Sequence, residues 1–366
     1  MIRATLVLAI LFAACAAPAR AHPGQSLDLT AGIETYFDDN TLNYSAHQLE
    51  DLASGRHPYR FGVGSPGDLV FKPALGLLWQ SDRDSDRRRA LGASAAGEMY
   101  GRSVVANSGE YGVLWREGFR IGRLSLAYRR SPQEYLRRLS DADLAFLPSS
   151  QRYRDVAVDL HRVSAAWRQA VPRLSWIDLG YTFERRRYPG AFRERDSDLH
   201  RGTLAVGWER MPRGGRLALS AGLRKLDARA EDGDEPPGAV PDEPDLSDHA
   251  LLLGASGGLD LGVAAGLGIA GEVEYDLESR GYDSDRPADD SHFGRQDLIQ
   301  AVELALRIRS EGPWSARAFY RAQHNRARYG STDTQESEIG GYRANQAGLA
   351  LEWRRQVGSR GRPKGR

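Results

Sequence analysis

Cysteine is all but missing from this chain. The single one, Cys15, sits in an apolar N-terminal run, so once that run is removed no disulfide, thiolate metal site or cysteine nucleophile is available. Long hydrophobic stretches are missing too. After the first 21 residues nothing approaches the roughly 18 consecutive apolar residues of a membrane-spanning helix, which excludes helical spans. There is no excess charge of one sign: 50 Lys and Arg face 49 Asp and Glu. That balance gives no electrostatic footprint for nucleic acid. Helical periodicity is scarce, and no second compositional regime marks a second domain.

The N-terminus reads Met1-Ile2-Arg3, an apolar run from Ala4 to about Ala17, then Ala19-Arg20-Ala21. This is the charged, apolar and small-x-small order of a secretory signal peptide, placed over residues 1–21, with the mature chain starting at His22. Its removal takes away Arg3 and Arg20 and no acid, moving the formal net charge from +1 to −1. Lipid attachment at Cys15 is the rival reading. Phe12, standing where such a site usually has Leu, opposes it.

What the sequence does contain, repeatedly, is two-residue alternation in segments of about ten residues, the signature of strands that face lipid on one side and a polar interior on the other. Leu27, Leu29, Ala31, Ile33 and Phe37 share one face, and Asp28, Thr30, Gly32 and Glu34 the other. The same pattern recurs in Leu69, Phe71, Leu75, Leu77 and Trp79, in Leu217, Leu219, Ala221 and Leu223, and in Leu267, Ile269, Val273, Tyr275 and Leu277. It predicts strands near 27–37, 67–80, 88–101, 109–117, 122–133, 152–168, 174–187, 198–209, 215–226, 248–257, 263–279, 294–309, 313–326 and 341–355. The expected fold is all-β: a single antiparallel transmembrane up-and-down β-barrel of about fourteen strands, within a range of roughly 12–16.

Connection lengths alternate. Those around 81–87, 118–121, 169–173, 210–214, 258–262 and 310–312 are short, while those around 38–66, 134–151, 188–197, 227–247, 280–293 and 327–340 are mostly longer and polar. Short periplasmic turns and longer extracellular loops put both termini in the periplasm. The tryptophans Trp79, Trp115, Trp167, Trp176, Trp208, Trp314 and Trp353 all fall near a short turn or the C-terminus, whereas Tyr36, Tyr100, Tyr111, Tyr135, Tyr153, Tyr188, Tyr282 and Tyr342 lie toward the opposite strand ends. Amphipathic rings are most stable at the water–hydrocarbon boundary, so two aromatic girdles are expected.

Gln346-Ala-Gly348-Leu-Ala-Leu351-Glu-Trp353 resembles the closing-strand signal of bacterial outer-membrane β-barrel proteins: a polar residue, a glycine two on, then hydrophobics separated by one. The resemblance implies the outer membrane of a Gram-negative cell, delivery by the barrel-assembly machinery, and contact with outer-membrane lipid and lipopolysaccharide. Such proteins commonly stop at a terminal aromatic; here a basic stretch follows, so the barrel is placed over 22–355 and a tail over 356–366.

The face opposite the apolar stripe points into a barrel's lumen. Glu272, Glu274, Asp276 and Glu278 are thereby assigned inward on one strand, Glu303 and Arg307 on the next, Arg317 and Arg321 on the one after, and Glu352 on the closing strand. Acidic and basic rows on adjacent walls would set up a field across a water-filled pore. The leading expectation is an outer-membrane channel for passive or substrate-biased diffusion of small hydrophilic solutes. The alternative is a structural barrel whose charges pair and fill the interior; a more remote one is a barrel-embedded lipid hydrolase. For the last, Ser291-His292 is the only adjacent Ser/His pair, and without a third member no catalytic residue is assigned. No metal and no cofactor is expected.

Three segments in two of the long loops carry further readings. Ser45 is positioned to cap a short helix with Leu49 and Leu52 on one face, which either narrows the pore mouth or caps the rim. Asp38, Asp39 and Asn40 offer hard oxygens for Ca²⁺ but read better as a solvated turn. The acidic, proline-rich stretch from Glu231 to Asp245 is expected to be exposed.

Overall fold

A computed structural model describes residues 24–84, 87–140, 148–188, 190–228, 246–284, 292–329 and 341–358. The signal peptide expected over 1–21, the acidic stretch 231–245, Ser291 and the basic stretch from 359 onward lie outside the described residues. Fourteen strands follow in chain order: β1 Gln25–Asp38, β2 Asp68–Asp84, β3 Arg87–Tyr100, β4 Ser108–Gly118, β5 Gly122–Ser140, β6 Tyr153–Ala170, β7 Trp176–Arg187, β8 Ser197–Met211, β9 Gly215–Ala228, β10 Asp248–Ala264, β11 Leu267–Tyr282, β12 Gln296–Arg309, β13 Trp314–Arg328 and β14 Arg343–Val357. Each pairs antiparallel with its sequence neighbours, and β1 pairs with β14, closing the barrel and leaving no strand edge. Closure is what lets strands enter lipid, where an unpaired backbone amide costs several kcal/mol.

The alternation read from sequence sets the two faces. Exposed aliphatic and aromatic side chains, among them Ile33, Phe37, Leu91, Val113, Leu179, Leu204, Leu223, Val273, Leu304, Leu349 and Leu351, stand on the outer face. In a water-soluble sheet they would form a costly apolar belt; facing hydrocarbon they are at home.

Three expectations need correction. The turn expected around 258–262 is strand: β10 continues to Ala264 through an irregularity between Asp260 and Gly262. The turn falls at Ala265-Gly266, whose φ values of 51° and 77° give the two left-handed residues of a twisted hairpin. At the other end, β14 runs through Arg354 and Arg355 to Val357, which pairs with Leu27, so the barrel outlasts the expected boundary at 355. Finally, the aromatic girdles are unequal. Trp314 and Trp353 are register partners with rings 6.5 Å apart at the short-turn end, as expected. The tyrosines at the long-loop end mostly turn inward instead: Tyr36 and Tyr135 are buried, and the Tyr36 and Tyr100 hydroxyls donate to Glu98. The outward tyrosines include Tyr111, Tyr181 and Tyr320. Two of these place the hydroxyl against a polar neighbour on the next strand, His200 for Tyr181 and Asn345 for Tyr320.

The long connection from β1 to β2 folds as an ordered rim. Helix α1, Ala46–Ser54, begins where Ser45 was expected to cap it: the Ser45 hydroxyl accepts the Gln48 amide while the Gln48 side chain accepts the Ser45 amide. Leu49 and Leu52 pack on a cluster of Leu42, Tyr44, Phe61, Val63, Ala106 and Tyr135. Asp51, 1 % exposed, bridges to Arg56 and Arg60. The connection is held across the mouth by Arg137, which donates to the Leu42 carbonyl, and by a Tyr59–Tyr153 ring contact at 5.5 Å. All these partners sit at the long-loop strand ends, so the segment caps the rim over β1 to β6.

The Asp38-Asp39-Asn40 cluster is not a solvated turn. Asp38 accepts the Asn40 amide and the Gln346 side chain, Asp39 accepts the Asn345 amide and side chain, and Asn40, 1 % exposed, donates to the carbonyls of Tyr44 and Arg343. The oxygens offered from sequence as cation ligands instead tie the rim to β14.

Candidate functional site: the barrel interior

Register places the nine charges named from sequence on the inner face. Gly258 pairs with Glu272, Ser256 with Glu274, Gly254 with Asp276 and Leu252 with Glu278. Across the next ladders Glu274 faces Glu303, Glu303 faces Arg321, Arg307 faces Arg317, and Glu352 lies beside Ser315 and Gly32. The exposed apolar residues of the same strands, such as Val273, Leu304 and Leu351, occupy the alternate positions.

Five of the nine form one network. Glu272 is reached by Arg216 from β9, by Arg307 at 3.1 Å and by Arg317 at 3.7 Å. Glu303 pairs with Arg317 and lies 3.9 Å from Arg321. Glu278 belongs to a second network with Arg224 and Arg280, which Asp248 extends. Sequence reasoning missed Arg216 and Arg224 because they sit two strands from Glu272 and Glu278. The signal lay on β10, whose residues between them are small. Arg224 lies opposite Ala250 and Arg216 opposite Gly258, and a Cβ at Gly258 would stand 2.5 Å from the Arg216 Nε. The glycine that resembles a turn signal is a channel for an arginine crossing its strand.

Glu274, Asp276 and Glu352 make no ion pair among the described residues. The inner face of β4 to β9 is different in sign. Arg116, Arg123, Arg129, Arg162, Arg168, Arg201, Arg216 and Arg224 fall on inward registers, and three cross-strand pairs set arginine directly against arginine: Arg123 with Arg168, Arg129 with Arg162, and Arg201 with Arg224. Like charges so placed repel. Arg162 is compensated by Glu184 at 2.5 Å, Arg168 by Asp178 at 2.8 Å with its guanidinium 4.2 Å from the Trp176 ring centroid, and Arg129 by Glu110 at 3.5 Å. Arg116, Arg123 and Arg201 have no acidic partner among the described residues. Strands β4 and β11 are seven positions apart in the closed order of fourteen, so Arg116 on β4 stands half a circuit from the unpaired Glu274 and Asp276, Arg123 on β5 six positions away, and Arg201 on β8 only three.

A cavity of about 290 Å³ opens beside the larger network, lined by Trp176, Arg216, Ser256, Glu272, Glu274 and Glu303, among others. At the rim, burial raises the Tyr44 phenol above its usual pKa, an effect that Arg137 and Arg138 oppose. The Ser/His pair considered for hydrolysis is not assembled within the described residues: His292 is 1 % exposed against the Tyr282 ring, and Ser291 lies outside them.

A closed antiparallel barrel with an apolar outer belt and a charged interior defines a transmembrane β-barrel of the bacterial outer-membrane type. Solved structures similar to it include the outer membrane channel DcaP of Acinetobacter baumannii, with 10% identity over 90% of this chain and 97% of that one and a TM-score of 0.47. OmpT, an outer membrane protein of Vibrio cholerae, is similar at 9% identity over 92% and 100% of the two chains, TM-score 0.41. An anion-selective porin from Comamonas acidovorans is similar at 11% identity over 91% and 99%, TM-score 0.39. These likenesses are of fold alone. No protein-family model matches the chain, and no curated protein matches it in sequence.

Proposed function

We propose that the protein is an outer-membrane channel for passive diffusion of small hydrophilic solutes, with both termini in the periplasm and the long loops outside. One observation carries this reading. Among the described residues, the inward ion pairs join strands of the same wall, as Arg216–Glu272, Arg317–Glu272, Arg224–Glu278 and Arg162–Glu184 do, and none of them bridges opposite walls. Charges that filled the lumen would pair across it. These pair along the wall, which braces the barrel and leaves its centre to water.

The unpaired Arg116 and Arg123, on the arc opposed to Glu274 and Asp276, then act on whatever passes. Fixed charges lining a low-dielectric conduit focus field lines into it, so a solute carrying both charge signs, or a strong dipole, is oriented on entry. With the interior containing both signs, only weak preference between small cations and anions is expected. The chain acts as a conduit rather than as an enzyme in this proposal.

Reconstitution of the refolded protein in planar bilayers tests it. Discrete conductance steps, with a reversal potential near zero in a KCl gradient, are the expected result. A correctly folded barrel that inserts and yields no steps would leave the side-chain-filled structural barrel as the better account.

A further inference from the structure

The outward charges at the long-loop end divide into two sets. On β5 to β10 four outer-face cations each have an acid beside them: Arg130 with Asp159 at 3.7 Å, Arg185 with Asp198 at 2.9 Å, Lys225 with Asp227 at 2.5 Å and His249 with Asp283 at 2.7 Å. On β13 and β14 the outer face carries Arg326, Arg328 and Arg343, with His324 directly opposite Arg343. The register from Ser315 to Arg328 is unbroken, so these even-numbered β13 positions share the face of the exposed Tyr320 and Trp314. Arg343 shares the face of the exposed Leu349 and Leu351 in the same way.

All three arginines are exposed, and none has an acidic partner among the described residues. The acid at the adjoining end of β1, Asp39, commits both carboxylate oxygens to Asn345. On β12, the residues opposite Arg326 and Arg328 are Leu298 and Gln296, neither of them charged. Lower on the same strands come Leu304, Tyr320 and Leu349, which belong to the lipid belt. The three guanidiniums therefore sit just above hydrocarbon, at headgroup depth, where an arginine gains most from a phosphate: its planar fork donates two parallel hydrogen bonds and the low-dielectric neighbourhood strengthens them.

We infer that Arg326, Arg328 and Arg343 form a docking site for one phosphorylated lipid headgroup of the leaflet that the long loops face. The patch supplies three forked donors to a phosphomonoester, while Tyr320 and the aliphatic belt below take the acyl chains. The paired rim of β5 to β10 offers no comparable site, because its cations are already neutralised. The site rests on the membrane-spanning fold and not on conduction, so a silent channel and an absent lipid are separate failures.

The test is native mass spectrometry of the full mature chain in detergent, titrated with diphosphoryl lipid A. One lipid per barrel is expected. Replacing the patch together, R326Q/R328Q/R343Q, should weaken it about tenfold, while R185Q/K225Q on the paired rim should leave it unchanged. The R326K/R328K/R343K variant, which keeps the charge and loses the forks, should bind between the two, and an unchanged urea-unfolding midpoint of the Gln variant in detergent shows that its loss is not misfolding. Phosphatidylcholine should not compete, and inorganic phosphate in excess should not displace the lipid. Equal binding by the folded Gln variant overturns the site. Full displacement by inorganic phosphate overturns the lipid as its occupant.

Discussion

Two walls of the same lumen handle charge in opposite ways. From β9 to β13 the inward arginines Arg216, Arg224, Arg307, Arg317 and Arg321 each find a carboxylate, Glu272 alone serving three of them, and Arg309 at the short-turn end is the exception. From β4 to β8 the inward arginines outnumber the acids, and Arg116, Arg123 and Arg201 are left over. The difference separates two uses of an identical residue type. Paired charges hold strands in register, at a net value set by how far water is excluded. Unpaired ones do little for stability but remain free to act on a solute. Whether an inward arginine is a brace or a filter depends on its neighbours two strands away.

The comparison is broken most severely by removing the hub. Glu272→Gln leaves three guanidiniums without their common acid, and a loss on the order of 2 kcal/mol is expected, moderated because the arginines keep partial access to water. Urea unfolding of the barrel in detergent would show it; an unchanged midpoint would mean that the paired wall is no brace. Next in size is the rim. Asn40→Ala removes three hydrogen bonds from a buried position and should cost about 1–2 kcal/mol locally, read as faster proteolysis between β1 and β2 with little change in global unfolding.

A smaller effect tests the route across β10. Gly258→Val should cost about 1 kcal/mol by displacing Arg216 from Glu272, and nothing further once Arg216→Gln is already present. Additive losses in that double-mutant cycle would show that Gly258 matters for some other reason. The smallest effect on stability, within about 0.5 kcal/mol, is expected for Arg116→Gln with Arg123→Gln. Those same changes should move the reversal potential in a salt gradient toward cation preference, and Glu274→Gln with Asp276→Asn toward anion preference. If both pairs shift it in one direction, the two walls are not opposed filters.

Much of the architecture was legible in the sequence because a strand in a closed barrel has only two faces. One hydrophobic period suffices to assign Leu349 and Leu351 outward and Glu352 inward, and the Ala265-Gly266 turn displaced a boundary without displacing a face. Tyrosine positions were misread for a related reason: placement near a strand end says nothing about face, and Tyr36 and Tyr100 take the inner one to meet Glu98. The nine lumen charges could be named from alternation over a few residues, whereas their partners could not, since Arg216 and Glu272 are 56 residues apart in the chain.

By itself, the sequence determined the class of fold, the strand count, the inward and outward faces and the start of the rim helix at Ser45, because periodicity and capping act over a few residues. Only the tertiary structure decided which charges meet. Closing fourteen strands fixes a stagger that no local pattern records, and that stagger brings Arg216 across Gly258 to Glu272 while leaving Arg123 and Arg326 with no acid at hand.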